Sequence, residues 1–133
     1  MVEKDLYPLI KKRIEAMKPL ETWAIEIKIV KGKSFPFSDV KEHQVIGLTG
    51  AKKGLFYRIA DQAWTAGGFQ QKKPFDALWI KAENAFVVPV FYIPRKKKRA
   101  YLIPIEDFLK LAKDSIKKSI TEEALTVFCS FDL

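Results

Sequence analysis

The stretch WAIEIKIVKGKSFPFSDVKEHQ, residues 23–44, decides how the rest of the chain is read. Its opening residues alternate: Trp23, Ile25, Ile27 and Ile29 fall on one face of an extended strand, and Ala24, Glu26, Lys28 and Val30 on the other. A strand rises about 3.3 Å per residue, so side chains two apart stand roughly 6 to 7 Å from each other, Cα to Cα. Glu26 and Lys28 therefore project side by side. Such a pair on a rigid strand suits phosphodiester hydrolysis, in which a carboxylate anchors a divalent metal and an amine helps polarise water or stabilises developing charge. The plain alternative is a solvated surface pair, which is common and energetically minor.

A basic, glycine-containing turn (residues 31–33) follows, and then a helix is expected with Ser38 as its N-cap and Asp39 in its first turn. Val40, Gln44 and Leu48 share one face of that helix, and Lys52, Lys53 and Gly54 close it. Gln44 would then sit over the Glu26 strand. His43 is the only histidine, too little for a triad or a metal cluster; it orients the helix, touches phosphate or faces solvent.

In order, spacing and residue type, Glu26 to Gln44 resembles the PD-(D/E)XK nuclease superfamily, and in pattern the Holliday junction resolvases of archaea and Gram-positive bacteria. The matching run covers about a seventh of the chain. The resemblance implies a single restriction-endonuclease-like α/β domain over residues 1–133, with a mixed central β-sheet flanked by α-helices. It also implies Mg²⁺ or Mn²⁺ as cofactor, Glu26 as metal ligand, Lys28 assisting the attacking water and Gln44 supporting water or phosphate. The substrate would be DNA, branched in form, and the assembly a homodimer that pairs two active sites.

One element departs from that family. Its usual first acid lies on a strand preceding the Glu-x-Lys strand, and residues 18–22 leave no room for one. Glu21 would fall at the strand's end, on the wrong side of any hairpin. Lys73-Pro-Phe-Asp76 resembles the family's Pro-Asp element although it comes later, so Asp76 is expected as the second metal ligand, its strand lying where the missing one should be. The alternative for Asp76 is a turn residue bonding its own backbone. Glu3 or Glu15 of an N-terminal helix could also approach the metal, or be solvated.

The rest of the chain supports a nucleic-acid partner. Twenty-four Lys and Arg stand against 16 Asp and Glu, a net charge of +8, which favours a polyanion. Five consecutive cations, Arg95, Lys96, Lys97, Lys98 and Arg99, follow Pro94 and read as a basic finger between two strands; with Lys31 and Lys33 they are the expected phosphate contacts. A nuclear-localisation signal and a solvated turn are the alternatives. Trp64 and Phe69, in a long connection over residues 61–74, could stack on bases or anchor the loop.

Residues 3–18 read as a helix with Leu6, Leu9, Ile10, Ile14 and Met17 inward, Asp5 as a possible cap, Pro8 in the first turn and Pro19 at the end. Residues 55–60 read as a strand, 77–92 as a hairpin turning at Glu83-Asn84, and Pro89 marks its second strand as an edge or a bulge. Residues 100–105 read as a strand, and a helix is expected from Glu106 to about Ile120 with Phe108, Leu109, Leu111, Ala112 and Ile116 inward. The tail through Cys129 is strand-like, an edge addition or a dimer contact, with Cys129 packed in it. There is no secretory signal, no apolar run of membrane-spanning length and no glycine-rich phosphate loop, so a soluble intracellular protein without nucleotide-driven chemistry is expected. A catalytically silent nuclease-fold binding module, and a regulatory subunit for an acidic protein, are the competing readings.

Overall fold

The alternation of residues 23–30 builds the expected strand, β1 (Trp23–Val30). In the computed structural model, which describes residues 3–17, 20–60, 63–65, 68–70, 72–93 and 95–133, β1 forms one edge of a four-stranded mixed sheet. It runs parallel to β7 (Asn84–Phe91), which is antiparallel to β8 (Arg99–Pro104); β10 (Cys129–Asp132) closes the far edge against β8. Apolar side chains project from both faces of this sheet, and each face is covered by helix, the arrangement that removes both from water. Ile27, Val88, Val90, Ala100 and Leu102 pack with buried Leu6 and Ile10 of α1 (Glu3–Met17). On the other face Val30, Val87, Tyr101 and Ile103 meet Leu48 of α2 (Glu42–Lys53) and Ile105 and Phe108 of α3 (Ile105–Asp114). The fold is thus α/β, with a mixed central sheet flanked by helices. Among the described residues no helix is long and apolar enough to cross a membrane.

Three small ribbons stand beside the sheet. They are β2 (Ser34–Pro36) with β9 (Ser119–Thr121), β3 (Leu55–Arg58) with β6 (Ala77–Ile80), and β4 (Ala63–Thr65) with β5 (Gly68–Gln70). Residues 61–74 are therefore not a structureless connection. Of Trp64 and Phe69 only the backbone is described, and Pro19 and Pro94 lie outside the described residues.

The expected hairpin over residues 77–92 does not form, because its two halves join different sheets: β6 pairs with β3, and β7 with β1 and β8. The switch is made at residues 81–84. Buried Ala82 donates its N–H to Ala51 O of α2 (2.8 Å), and the Glu83 N–H donates to Thr22 O (3.1 Å), which aims the chain along β1.

Pro89 is neither at an edge nor in a bulge. It is fully buried in the sheet's second strand. Pairing between β7 and β8 lapses between Val87–Ile103 and Val90–Ala100 and resumes in the same register, so the residue without an N–H falls in the gap.

Other expectations are corrected by packing. Helix α1 starts at Glu3, which puts Pro8 inside it instead of in its first turn, with no N–H for the Lys4 carbonyl; Leu9 and Met17 are exposed. Helix α3 stops at Asp114, about a turn and a half early, because residues 119–121 are taken as β9 by β2. Ile105 and Phe108 carry its buried face, while Leu109, Ala112 and Ile116 are exposed. Cys129 does lie in the edge strand β10, but exposed instead of packed.

Candidate active site

Glu26 and Lys28 stand on the α2 side of β1, in register with Val87 and Pro89. The approach to α2 differs from expectation. Ser38 lies in a single 3₁₀ turn, Phe37–Asp39, and α2 begins after Lys41, which is extended (φ −77°, ψ 158°). Core packing overrides the capping preference here. Phe37 donates its N–H to Lys118 O (3.0 Å) and sets its ring edge-on to Phe108 (5.8 Å), committing residues 37–39 before the helix can start.

That delay gives Gln44 its role. As the third residue of α2 its Oε1 accepts the Lys41 N–H (2.9 Å), closing a capping interaction. With the carbonyl end engaged, the amide's NH₂ end points to the strand, and Nε2 donates to Glu26 Oε1 (2.9 Å). Lys28 Nζ lies 3.5 Å from the same oxygen. Glu26 and Lys28 are shielded for charged residues, their side chains 29% and 14% exposed, and shielding strengthens such contacts relative to water. Both contacts fall on Oε1. The structure thus brings together three of the four residues expected at the centre.

Asp76 is elsewhere. It sits before β6 on the β3–β6 ribbon, 91% exposed, with Lys73 Nζ at 3.3 Å from Oδ1. The strand it leads into pairs with β3, not beside β1 where the missing acidic strand was expected. On the opposite, α1 side of β1 a cleft of about 420 Å³ is lined by Ile10, Ile14 and Glu15 of α1 and by Ile25, Glu26 and Ile27 of β1, while the Glu26 carboxylate itself is held on the α2 side by Gln44. Glu15 holds Lys11 at 2.8 Å. Glu3 does not line this cleft, and His43 is exposed on α2. Among the described residues no three His, Cys, Asp or Glu side chains converge as a metal group.

The basic segments gather at one end of the sheet. The Tyr92 N–H donates to Val30 O (2.9 Å), which ties the end of β7 to the end of β1. Lys31 and Lys33 therefore share that end with the turn carrying Arg95, Lys96 and Lys97, all exposed, and Arg95 takes a left-handed conformation (φ 68°) to make it. The stretch is a tight turn, not a finger. Lys98 covers the Tyr92 ring (5.3 Å to the centroid), and Arg99 Nε pairs with Asp132 Oδ1 (2.9 Å). That pairing raises the Arg99 pKa and lowers that of Asp132.

Sequence reasoning missed the polar network next to this end. Tyr101, buried, donates its hydroxyl to Glu122 Oε2 (2.9 Å), and burial first, then that bond, raises its pKa. Only strand alternation, which puts Tyr101 on the α2 side of β8, could have signalled it. Compared with protein-family models, curated proteins and solved structures, the chain has no match in any of the three.

Proposed function

We propose that this chain is a divalent-metal-dependent nuclease of the PD-(D/E)XK kind, acting on DNA by recognition of its structure more than its sequence. The observation that carries the reading is the Glu26 carboxylate, held on one oxygen by Lys28 and Gln44 on the α2 side of the edge strand β1. Mg²⁺ is usually bound through one or two carboxylates, keeps several waters and takes substrate phosphates as ligands. Glu26 fits that hard-oxygen chemistry; water and substrate oxygens must complete the set. When bound, the ion would neutralise phosphate charge and lower the pKa of a water.

The chain's own residues do the rest. Gln44 fixes the rotation of Glu26, whose Oε2 would be left for the ion. Lys28 keeps an ammonium where negative charge develops on the phosphate. Lys31, Lys33 and the 95–97 turn bind the backbone away from the cut. Glu26 and Val30 are four residue steps apart on the strand, about 13 Å, which spans roughly four phosphates at ~3.4 Å each along one strand. Asp76, paired on the ribbon, is not assigned a metal-binding role.

A second reading has its own observation: one carboxylate in contact with Lys28 and no acidic strand beside it suits a silent DNA-binding module. Labelled four-way-junction and linear duplex DNA, incubated with Mg²⁺, Mn²⁺ or EDTA, separates the two. Wild type should cut with metal, Glu26→Ala should lose on the order of 10²–10³ in rate, and Asp76→Asn should stay within a fewfold of wild type. Binding by both wild type and Glu26→Ala with no cutting by either would leave the silent module.

A further inference from the structure

Phe56 of β3 and Trp79 of β6 face each other across the outer ribbon, 66% and 64% exposed. Tyr57 and Leu78 form the neighbouring pair on its opposite side, also exposed, and Phe75 stands exposed just ahead of β6. Isolated two-stranded ribbons seldom show large apolar groups on both faces unless something covers them.

Trp79 is not loosely displayed. A Cβ built on Gly54 would lie 2.6 Å from its Cζ2 and 2.9 Å from its Cη2. The indole therefore rests directly on the Gly54 backbone, where no other residue leaves room, and φ of 118° at that position independently favours glycine. One part of the ring is fixed and most of it faces solvent. Such a preorganised aromatic surface loses little conformational entropy when it is covered.

The surroundings indicate by what. Lys53, Arg58, Lys72 and Lys81 are exposed on and around the ribbon, outnumbering the exposed acids described near it, Glu83 and Asp76, the latter held by Lys73. A second copy of a +8 chain would bring like charges together here; a polyanion with flat apolar faces would neutralise the cations and stack on the rings.

We propose that the β3–β6 ribbon is a second nucleic-acid site that takes unpaired bases of DNA, with Phe56 and Trp79 as stacking surfaces and Arg58 and the flanking lysines on the phosphates. The inference rests on the DNA partner proposed above and names the feature recognised: a single-stranded flank or an opened branch.

The test is binding in EDTA, by fluorescence anisotropy, to oligo-dT of about 20 nucleotides, the span of one or two single-strand sites, and to duplex of equal length. The double variant Phe56→Ala/Trp79→Ala should lose between about fivefold and a hundredfold in single-strand affinity, with duplex affinity unchanged within about twofold. Trp79→Tyr, which keeps a ring, should stay near wild type. Phe56→Ala alone leaves the Trp79–Gly54 contact in place and carries the test should the double variant fail to fold. Unaltered single-strand affinity in a folded variant overturns the proposal. So does a wild-type dimer that becomes a monomer in the variant with DNA affinity intact, since the ribbon is then a self-association surface. Ribbon-dependent binding by a wild type that cuts nothing removes the nuclease and leaves the ribbon standing; cutting with no ribbon effect does the reverse.

Discussion

At the scale of single residues, Gln44 joins two structures at once. Its carbonyl caps α2 and its amide holds Glu26. Gln44→Ala removes both bonds, and with a net value of about 0.5–1.5 kcal/mol each should destabilise the fold by roughly 1–3 kcal/mol. Gln44→Glu keeps the acceptor for Lys41 but sets a carboxylate against Glu26. Its unfolding free energy, from urea titration, should therefore rise as pH falls from 7 toward 5, where wild type and Gln44→Ala show no such gain. An equal pH response in all three would remove the contact as assigned.

Tyr101 makes the alkaline counterpart. Its folded pKa is raised, so below the unfolded value of about 10 it is neutral in both states and its contribution is whole. Between the unfolded and folded values the unfolded chain loses the proton first, and stability falls as pH rises. Tyr101→Phe should cost about 1 kcal/mol at pH 8 and lose less than wild type between pH 8 and 11. Parallel losses in the two proteins would place the alkaline sensitivity elsewhere.

At the scale of elements, Pro8 inside α1 is a local fault tolerated for packing on either side of it. Leu6 and Ile10 are buried against the sheet while Pro8 faces solvent. Pro8→Ala restores a helical N–H at an exposed site. Proline costs up to about 3 kcal/mol in a helix interior and returns about 1 kcal/mol by restricting the unfolded chain, so a net gain of about 1–2 kcal/mol is expected in chemical denaturation. No gain would mean that the helix is already broken there.

The elements also show what could be read beforehand. β1 was legible to the residue because one face is isoleucine and the other is not, and the Glu26–Lys28–Gln44 meeting followed from that strand and from a helix at the right distance. The start of α2 was not legible, since Ser38 has the better cap chemistry and lost to burial of Phe35 and the packing of Phe37. Nor was the central place of β7, because a proline speaks against it and only the gap opposite, on β8, accommodates it. Asp76 was misplaced for a related reason. Two apolar runs with a turn between them look like a hairpin whether or not they share a sheet.

At the scale of the whole molecule, charge is sorted by position. Lys31, Lys33 and the 95–97 turn occupy one end of the sheet, while Arg99 is matched by Asp132 and Lys52 by Glu106, whose pKa that pairing lowers. The exposed turn is the part available to phosphate. Replacing Arg95, Lys96 and Lys97 together by alanine should weaken duplex binding and reduce the slope of log K against log salt by up to about 3, at roughly 0.9 per contact. A slope equal to that of wild type would move the contact surface away from this end.

The hydrogen bond between Ala82 and Ala51 has a meaning beyond the local turn. It brings the departure of the chain from α2 and its return toward β7 to a single spot, so that everything between is an excursion starting and finishing at one doorway. Such a segment can be lengthened, shortened or exchanged without altering the order of strands in the central sheet. The centre around Glu26 and the recognition surface on the excursion are thus free to diverge at different rates, one held by the packing of the central sheet and the other carried on a ribbon that belongs to a separate sheet.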